Sequence, residues 1–90
     1  MYGITSQLRR ASVSIVLNIA EGAARRASMG SDAGFRRFLN MSIGSLSEVD
    51  TLILLCEDLS YVSPERSQQL QSDLEGISRP LHGLWKSLKH

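Results

Sequence analysis

The chain of 90 residues has a single cysteine, two prolines, two histidines and five aromatic residues, and each shortage removes a class of explanation. Cys56 alone can form neither an internal disulfide nor a cysteine-based zinc site, which fits a reducing cytoplasm. Since His90 is the last residue, a histidine-dependent metal site or catalytic triad would rest on His82. No uncharged apolar stretch exceeds the ten residues 11–20, which include Ser12, Ser14 and Asn18; crossing a bilayer takes roughly 20. Residues 1–5 lack the basic and apolar regions of a secretory signal. None of the 14 serines lies in a G-x-S-x-G turn, and Gly30 and Gly34 are not followed by the Gly-Lys-Ser/Thr of a phosphate loop. These absences predict a non-enzymatic protein without cofactor or metal.

What is present fits one small globular domain over residues 1–90. Hydrophobic residues make up 42% and charged residues 21%, enough apolar content to exclude disorder. The net charge is only +1, but it is unevenly spread. Residues 1–40 carry Arg9, Arg10, Arg25, Arg26, Arg36 and Arg37 against Glu21 and Asp32. In residues 41–75 Arg66 alone faces Glu48, Asp50, Glu57, Asp58, Glu65, Asp73 and Glu75, and the tail adds Arg79, Lys86 and Lys89. The sequence is therefore a charge dipole.

Periodicity predicts three helices and no strand, an all-α antiparallel up-and-down bundle. The first spans about 5–26, with Thr5 or Ser6 at its start. Its polar residues Arg10, Ser14, Asn18, Glu21 and Arg25 form one narrow stripe, which leaves apolar surface for burial on two sides. After a loop at 28–32, Ser31 or Asp32 caps a second helix over about 32–59. Phe35, Leu39, Ser42, Leu46, Val49, Ile53 and Cys56 recur there at alternating steps of four and three, a bundle seam. A second line through Phe38, Met41, Ser45, Leu52, Leu55 and Leu59 suggests another buried aspect, with Glu48 among it needing a partner. Gly44, Ser45 and Ser47 are small enough to admit a close neighbouring backbone. Ser63, Pro64 and Glu65 are N-cap, first-turn proline and first-turn acid of a third helix over about 64–88. Leu70, Leu74, Ile77, Leu81, Leu84 and Leu88 form its seam, and Pro80 predicts a kink.

The three arginine pairs are the candidate site. The short connection between the first two helices should bring Arg25-Arg26 and Arg36-Arg37 to one end of the bundle, with Arg9-Arg10 at the start of the first helix. Repeated around an oligomer, such an end becomes a basic ring attractive to phosphates, making contact without reading bases. The surplus apolar surface predicts homo-oligomerisation.

The segments Tyr2-Gly3-Ile4-Thr5-Ser6-Gln7-Leu8-Arg9-Arg10-Ala11, Val13-Ser14-Ile15 and Asn18-Ile19-Ala20-Glu21-Gly22 closely resemble the bacterial four-helix-bundle family encoded in 23S rRNA intervening sequences. Phe38-Leu39-Asn40, Gly44-Ser45-Leu46-Ser47-Glu48 and Leu59-Ser60-Tyr61-Val62 match the same pattern further on, and together these motifs cover about two thirds of the chain. The resemblance implies a small cytoplasmic non-enzymatic homopentamer. It also implies kinship with the accessory proteins of diversity-generating retroelements, which bind nucleic acid and a reverse transcriptase. The family pattern has a further amphipathic helix ahead of the Tyr-Gly-Ile-Thr segment, which this chain lacks, and commonly a proline where Val16 stands. Pro80 is outside that pattern. The expectation is RNA or DNA binding through Arg9, Arg10, Arg25, Arg26, Arg36 and Arg37; the alternative is a scaffold that docks a protein through apolar helix faces.

Overall fold

The computed structural model describes residues 2–88, which form α1 (Tyr2–Met29), α2 (Asp32–Asp58) and α3 (Pro64–Ser87) with no strand among them. This is the all-α helical bundle the periodicity predicts. α1 begins three residues ahead of Thr5 and ends three beyond residue 26, so Ser28 and Met29 belong to the helix rather than to the loop. The Ser28 hydroxyl bonds back to the Arg25 carbonyl at 3.3 Å, which accommodates a turn-forming residue inside the last turn. Gly30 ends α1 with φ +68°, its N–H donating to the Arg26 carbonyl at 2.7 Å, a left-handed conformation that costs glycine little.

Two of the three predicted helix starts form as expected; the first does not, because Thr5 and Ser6 lie inside α1. Ser31 Oγ accepts from Gly34 N at 2.9 Å, and Ser63 Oγ accepts from Arg66 N at 3.1 Å with Pro64 in the first turn. α2 closes at Leu59, and Tyr61 N donates to the Cys56 carbonyl at 2.8 Å across Ser60, which takes φ +62°. α3 continues through Pro80 without a break.

α2 is the central element. Every residue of its predicted seam, from Phe35 to Cys56, is buried, and Leu39 and Ser42 have no accessible surface. One cluster joins Phe35, Leu39 and Leu46 to Leu81 and Leu88 of α3, with Ile15 and Ile19 of α1 packed against it. A second joins Ala11 to Val49 and Ile53 beside Leu70 and Leu74. Descending partners on α1 meet ascending ones on α2, so the two helices are antiparallel. α1 and α3 both lie along α2, yet no Cα pair within 8 Å joins them, and the molecule is an open trough of 46 × 23 × 14 Å. α2 has the length and mean hydropathy, 1.3, of a membrane-spanning segment, but its seam is the core of this bundle.

Four expectations need correction. Of the predicted α3 seam only Leu81 and Leu88 are buried; Leu70 and Leu74 are half-buried, and Ile77 and Leu84 are exposed. α1 is buried along one face only, through Ala11, Gly22 and the half-buried Leu8, Ile15 and Ile19; Val13, Val16 and Leu17 are 50%, 64% and 61% exposed. The second line on α2 is not a second buried face, because Met41, Leu55 and Leu59 lie outside while Leu52 is buried. Glu48 is exposed and needs no buried partner. The physical reason is common to all of these: among the described residues three helices pack together, and these side chains face away from the contacts between them.

The close approach of α1 and α2 depends on Gly22, Ser42 and Ser45. Gly22 is buried against Phe35 and Phe38. Ser42 Oγ donates to the Ile15 carbonyl at 2.8 Å, and Ser45 Oγ to Ser14 Oγ at 3.0 Å. Gly44 is exposed, with no atom near its missing side chain, so it does not serve this contact.

Candidate nucleic-acid interface

The short Gly30-Ser31 connection does place Arg25, Arg26, Arg36 and Arg37 at one end of the bundle. Gly22, one turn before Arg26, touches Phe35 and Phe38, which flank Arg36 and Arg37. Arg9 and Arg10 lie well away: Arg10 and Arg25 are separated by a helical rise of about 22 Å. The six arginines therefore form two basic regions and no single patch.

Their chemical states also differ. Arg25 Nε meets Glu21 Oε1 at 2.9 Å with both side chains half exposed, and its guanidinium lies 5.1 Å from the Phe38 ring centre. Arg26 Nε pairs with Asp32 Oδ1 at 2.7 Å across the interhelical connection. Surface pairs contribute about 0.2–1 kcal/mol, so a phosphate can compete for either arginine.

Arg36 is different. Its Nη1 donates to the Trp85 and Leu88 carbonyls at 3.0 and 3.1 Å, and its guanidinium stacks 3.9 Å from the Trp85 ring centre. These carbonyls belong to the last turn of α3 and to its C-cap residue, where helical partners run out, so a side chain from α2 caps α3. Charge-assisted hydrogen bonds and a cation–π contact make this the most committed of the six arginines. Arg36→Ala is expected to lower unfolding free energy by about 1–2 kcal/mol, below the gross value of the contacts because water can reach a helix end. Urea denaturation followed through Trp85 fluorescence checks this; Arg36→Lys, which keeps the charge without the planar fork, should recover less than half. An unchanged midpoint in Arg36→Ala would show that the cap is dispensable.

Arg9, Arg10 and Arg37 are exposed and form no ion pair or hydrogen bond among the described residues. Arg9 and Arg10 border a shallow hollow on the outer side of α1, shared with Ser6, Val13, Ser14, Leu17 and Asn18. Of the six arginines, those most available to a polyanion are thus Arg9, Arg10 and Arg37, with Arg25 and Arg26 next and Arg36 withdrawn into the fold. Sequence reasoning placed Arg25 and Glu21 on one stripe of α1, where they pair at i, i+4 spacing. It missed the role of Arg36, whose partners are main-chain atoms about fifty residues away and carry no sequence signal.

Two other sequence features now have locations. Cys56 is buried on the α2 seam, the position of a small apolar residue. His82 is exposed on α3, its Nδ1 2.9 Å from the Ser78 carbonyl; His90 lies outside the described residues.

No curated protein matches the chain. The model of the family described as 23S rRNA-intervening sequence protein matches residues 1–83. That match takes in α1, α2 and most of α3, and with a helical bundle already established the chain belongs to the 23S rRNA-intervening sequence protein family.

Proposed function

We propose that the protein is a non-enzymatic, cytoplasmic binding module that self-associates, as a pentamer, and holds the phosphate backbone of RNA or DNA through its arginines. The observation that carries this proposal is the exposure of Arg9, Arg10 and Arg37 without an ion pair or hydrogen bond among the described residues. Self-association is supported by two outer stripes. Val13, Leu17, Ala20 and Ala24 share a sector of about 60° on α1, and Met41, Glu48, Leu55 and Leu59 one of about 40° on α2. The first stripe begins beside Arg9 and Arg10 and the second includes an acid, so copies can meet with apolar burial and opposite charge.

The test has two stages. Light scattering behind size exclusion should give a mass near five chains. Labelled single-stranded RNA should then bind with a steep salt dependence, each lost phosphate contact reducing the slope by about 0.7. Joint replacement of Arg9, Arg10 and Arg37 by alanine should weaken binding and flatten the slope by about 2. No affinity in the parent protein, or a slope unchanged in the triple variant, would remove the nucleic-acid proposal.

A second reading is favoured by the withdrawal of Arg36 and the exposure of Val13, Val16 and Leu17: a scaffold that docks a protein on the outer face of α1. Recovery of a single protein partner after nuclease treatment, lost in Leu17→Asp, would support it over the first.

A further inference from the structure

The acidic half of the chain contains a cleft that none of the arginine chemistry uses. It lies between α2 and α3, with a volume of about 290 Å³. Ile43, Leu46 and Leu74 supply apolar wall, and Asp50, Ser78 and His82 stand among its polar lining. Pockets for drug-sized ligands run from about 300 to 1,000 Å³, so this one suits a small molecule or one inserted side chain.

Most of the polar groups around it are already engaged. Gln71 Nε2 donates to Ser67 Oγ at 3.0 Å, Ser47 Oγ to the Ile43 carbonyl at 3.3 Å, and Glu75 pairs with Arg79 at 2.9 Å. Asp50 is the exception: it is half-buried and has no hydrogen bond or ion pair among the described residues. A carboxylate partly removed from water without a partner is an unmet demand for positive charge. His82 adds an acceptor. Its Nδ1 lies 2.9 Å from the Ser78 carbonyl and 3.2 Å from Ser78 Oγ, and in the tautomer that donates from Nδ1 to the carbonyl the Nε2 lone pair is free.

We propose that this cleft is a binding site for a primary alkylammonium group. A compact ammonium brings three donors, which suits a carboxylate, an imidazole nitrogen and the lone pairs of serine hydroxyls. Its alkyl stem suits the apolar wall. An anion would meet Asp50 and Glu75. A metal ion is not favoured, because no three His, Cys, Asp or Glu side chains are grouped to hold one among the described residues. The same chemistry is offered by a free aliphatic amine and by a lysine side chain of a partner.

The test titrates the intact protein with n-pentylamine hydrochloride at constant ionic strength, followed by NMR of the Ile43 and Leu74 methyl groups and the His82 ring. Saturable shifts at these three positions are expected, with none from sodium pentanoate. Asp50→Asn should weaken binding at least tenfold while leaving the fold intact by circular dichroism, because the substitution keeps the side chain's shape and Asp50 has no hydrogen bond or ion pair among the described residues. A capped Ala-Lys-Ala peptide identifies the source: tighter binding than pentylamine assigns the cleft to a partner lysine, and weaker binding to a free amine. Shifts that grow linearly without saturation, or saturable binding unaffected by Asp50→Asn, would overturn the proposal.

Discussion

Gly22→Ala is expected to destabilise the protein by about 2–3 kcal/mol, although alanine is the better helix former. Propensity alone would predict a gain of about 1 kcal/mol inside a helix. The added methyl, however, would lie 2.7 Å from Phe35 Cδ1 and 2.9 Å from Phe38 Cβ. A ring can tilt, but a Cβ atom moves only with its backbone, so α1 and α2 must separate. Separation also stretches the Ser42 to Ile15 and Ser45 to Ser14 hydrogen bonds, which span the same interface. Gly44→Ala is the matched control: that position is helical and nothing lies within 4 Å of the missing side chain, so stability should rise by up to about 1 kcal/mol. Urea denaturation of both variants separates the effects by sign. A stabilised Gly22→Ala would mean that the two helices are not in intimate contact there.

The same interface shows what the sequence makes legible. The α2 seam could be read residue by residue because a helix buried between two neighbours must repeat its apolar positions every three or four residues, and Phe35 through Cys56 do so without interruption. The Ser31 and Ser63 caps were equally legible, being local chemistry between residues three apart. Gly22 was not. A glycine within an alanine-rich helix looks like a weak point until the facing Phe35 and Phe38 are known, and Gly44 in a small-residue stretch looked the better site for close approach. The apolar surfaces of α1 and of the second line on α2 were expected to be buried on two sides, but periodicity cannot say which face is covered. Here Ala11, Ile15 and Gly22 face α2, while Val13, Val16 and Leu17 face outward.

For the candidate interface, sequence brought Arg25, Arg26, Arg36 and Arg37 to one end of the bundle and could not rank them. Arg36 and Arg37 are adjacent and look equivalent. A helix turns 100° per residue, so one side chain reaches the end of α3 and its neighbour reaches solvent. The same rotation separates Arg25, which lies against Glu21 and Phe38, from Arg26, which crosses to Asp32. Adjacent charges on a helix therefore serve different purposes, one structural and one available.

Leu39→Ala is expected to have the largest effect of any single truncation, a loss of about 3–4 kcal/mol. Leu39 is fully buried and lies in the cluster that unites all three helices, with Phe35 and Leu46 on its own helix, Leu81 and Leu88 on α3 and Ile15 and Ile19 from α1. No single neighbour can fill the space, because collapse toward α1 opens a gap against α3. A domain of this size has total stability near 5 kcal/mol, so the variant should be partly unfolded at 37 °C. The comparison that gives this result meaning is Leu17→Ala, where a leucine of the same size is 61% exposed. Within one protomer that change should cost less than about 0.5 kcal/mol. In a self-associated state it should lower the transition midpoint at low protein concentration and leave it unchanged at high concentration, since mass action restores the assembly. Leu39→Ala should be destabilised by the same amount at every concentration relative to the parent. Denaturation across a hundredfold range of concentration thus separates core from interface: a Leu17→Ala loss independent of concentration would place Leu17 in the protomer's own core, and indistinguishable parent and variant curves would remove the outer face of α1 from the assembly.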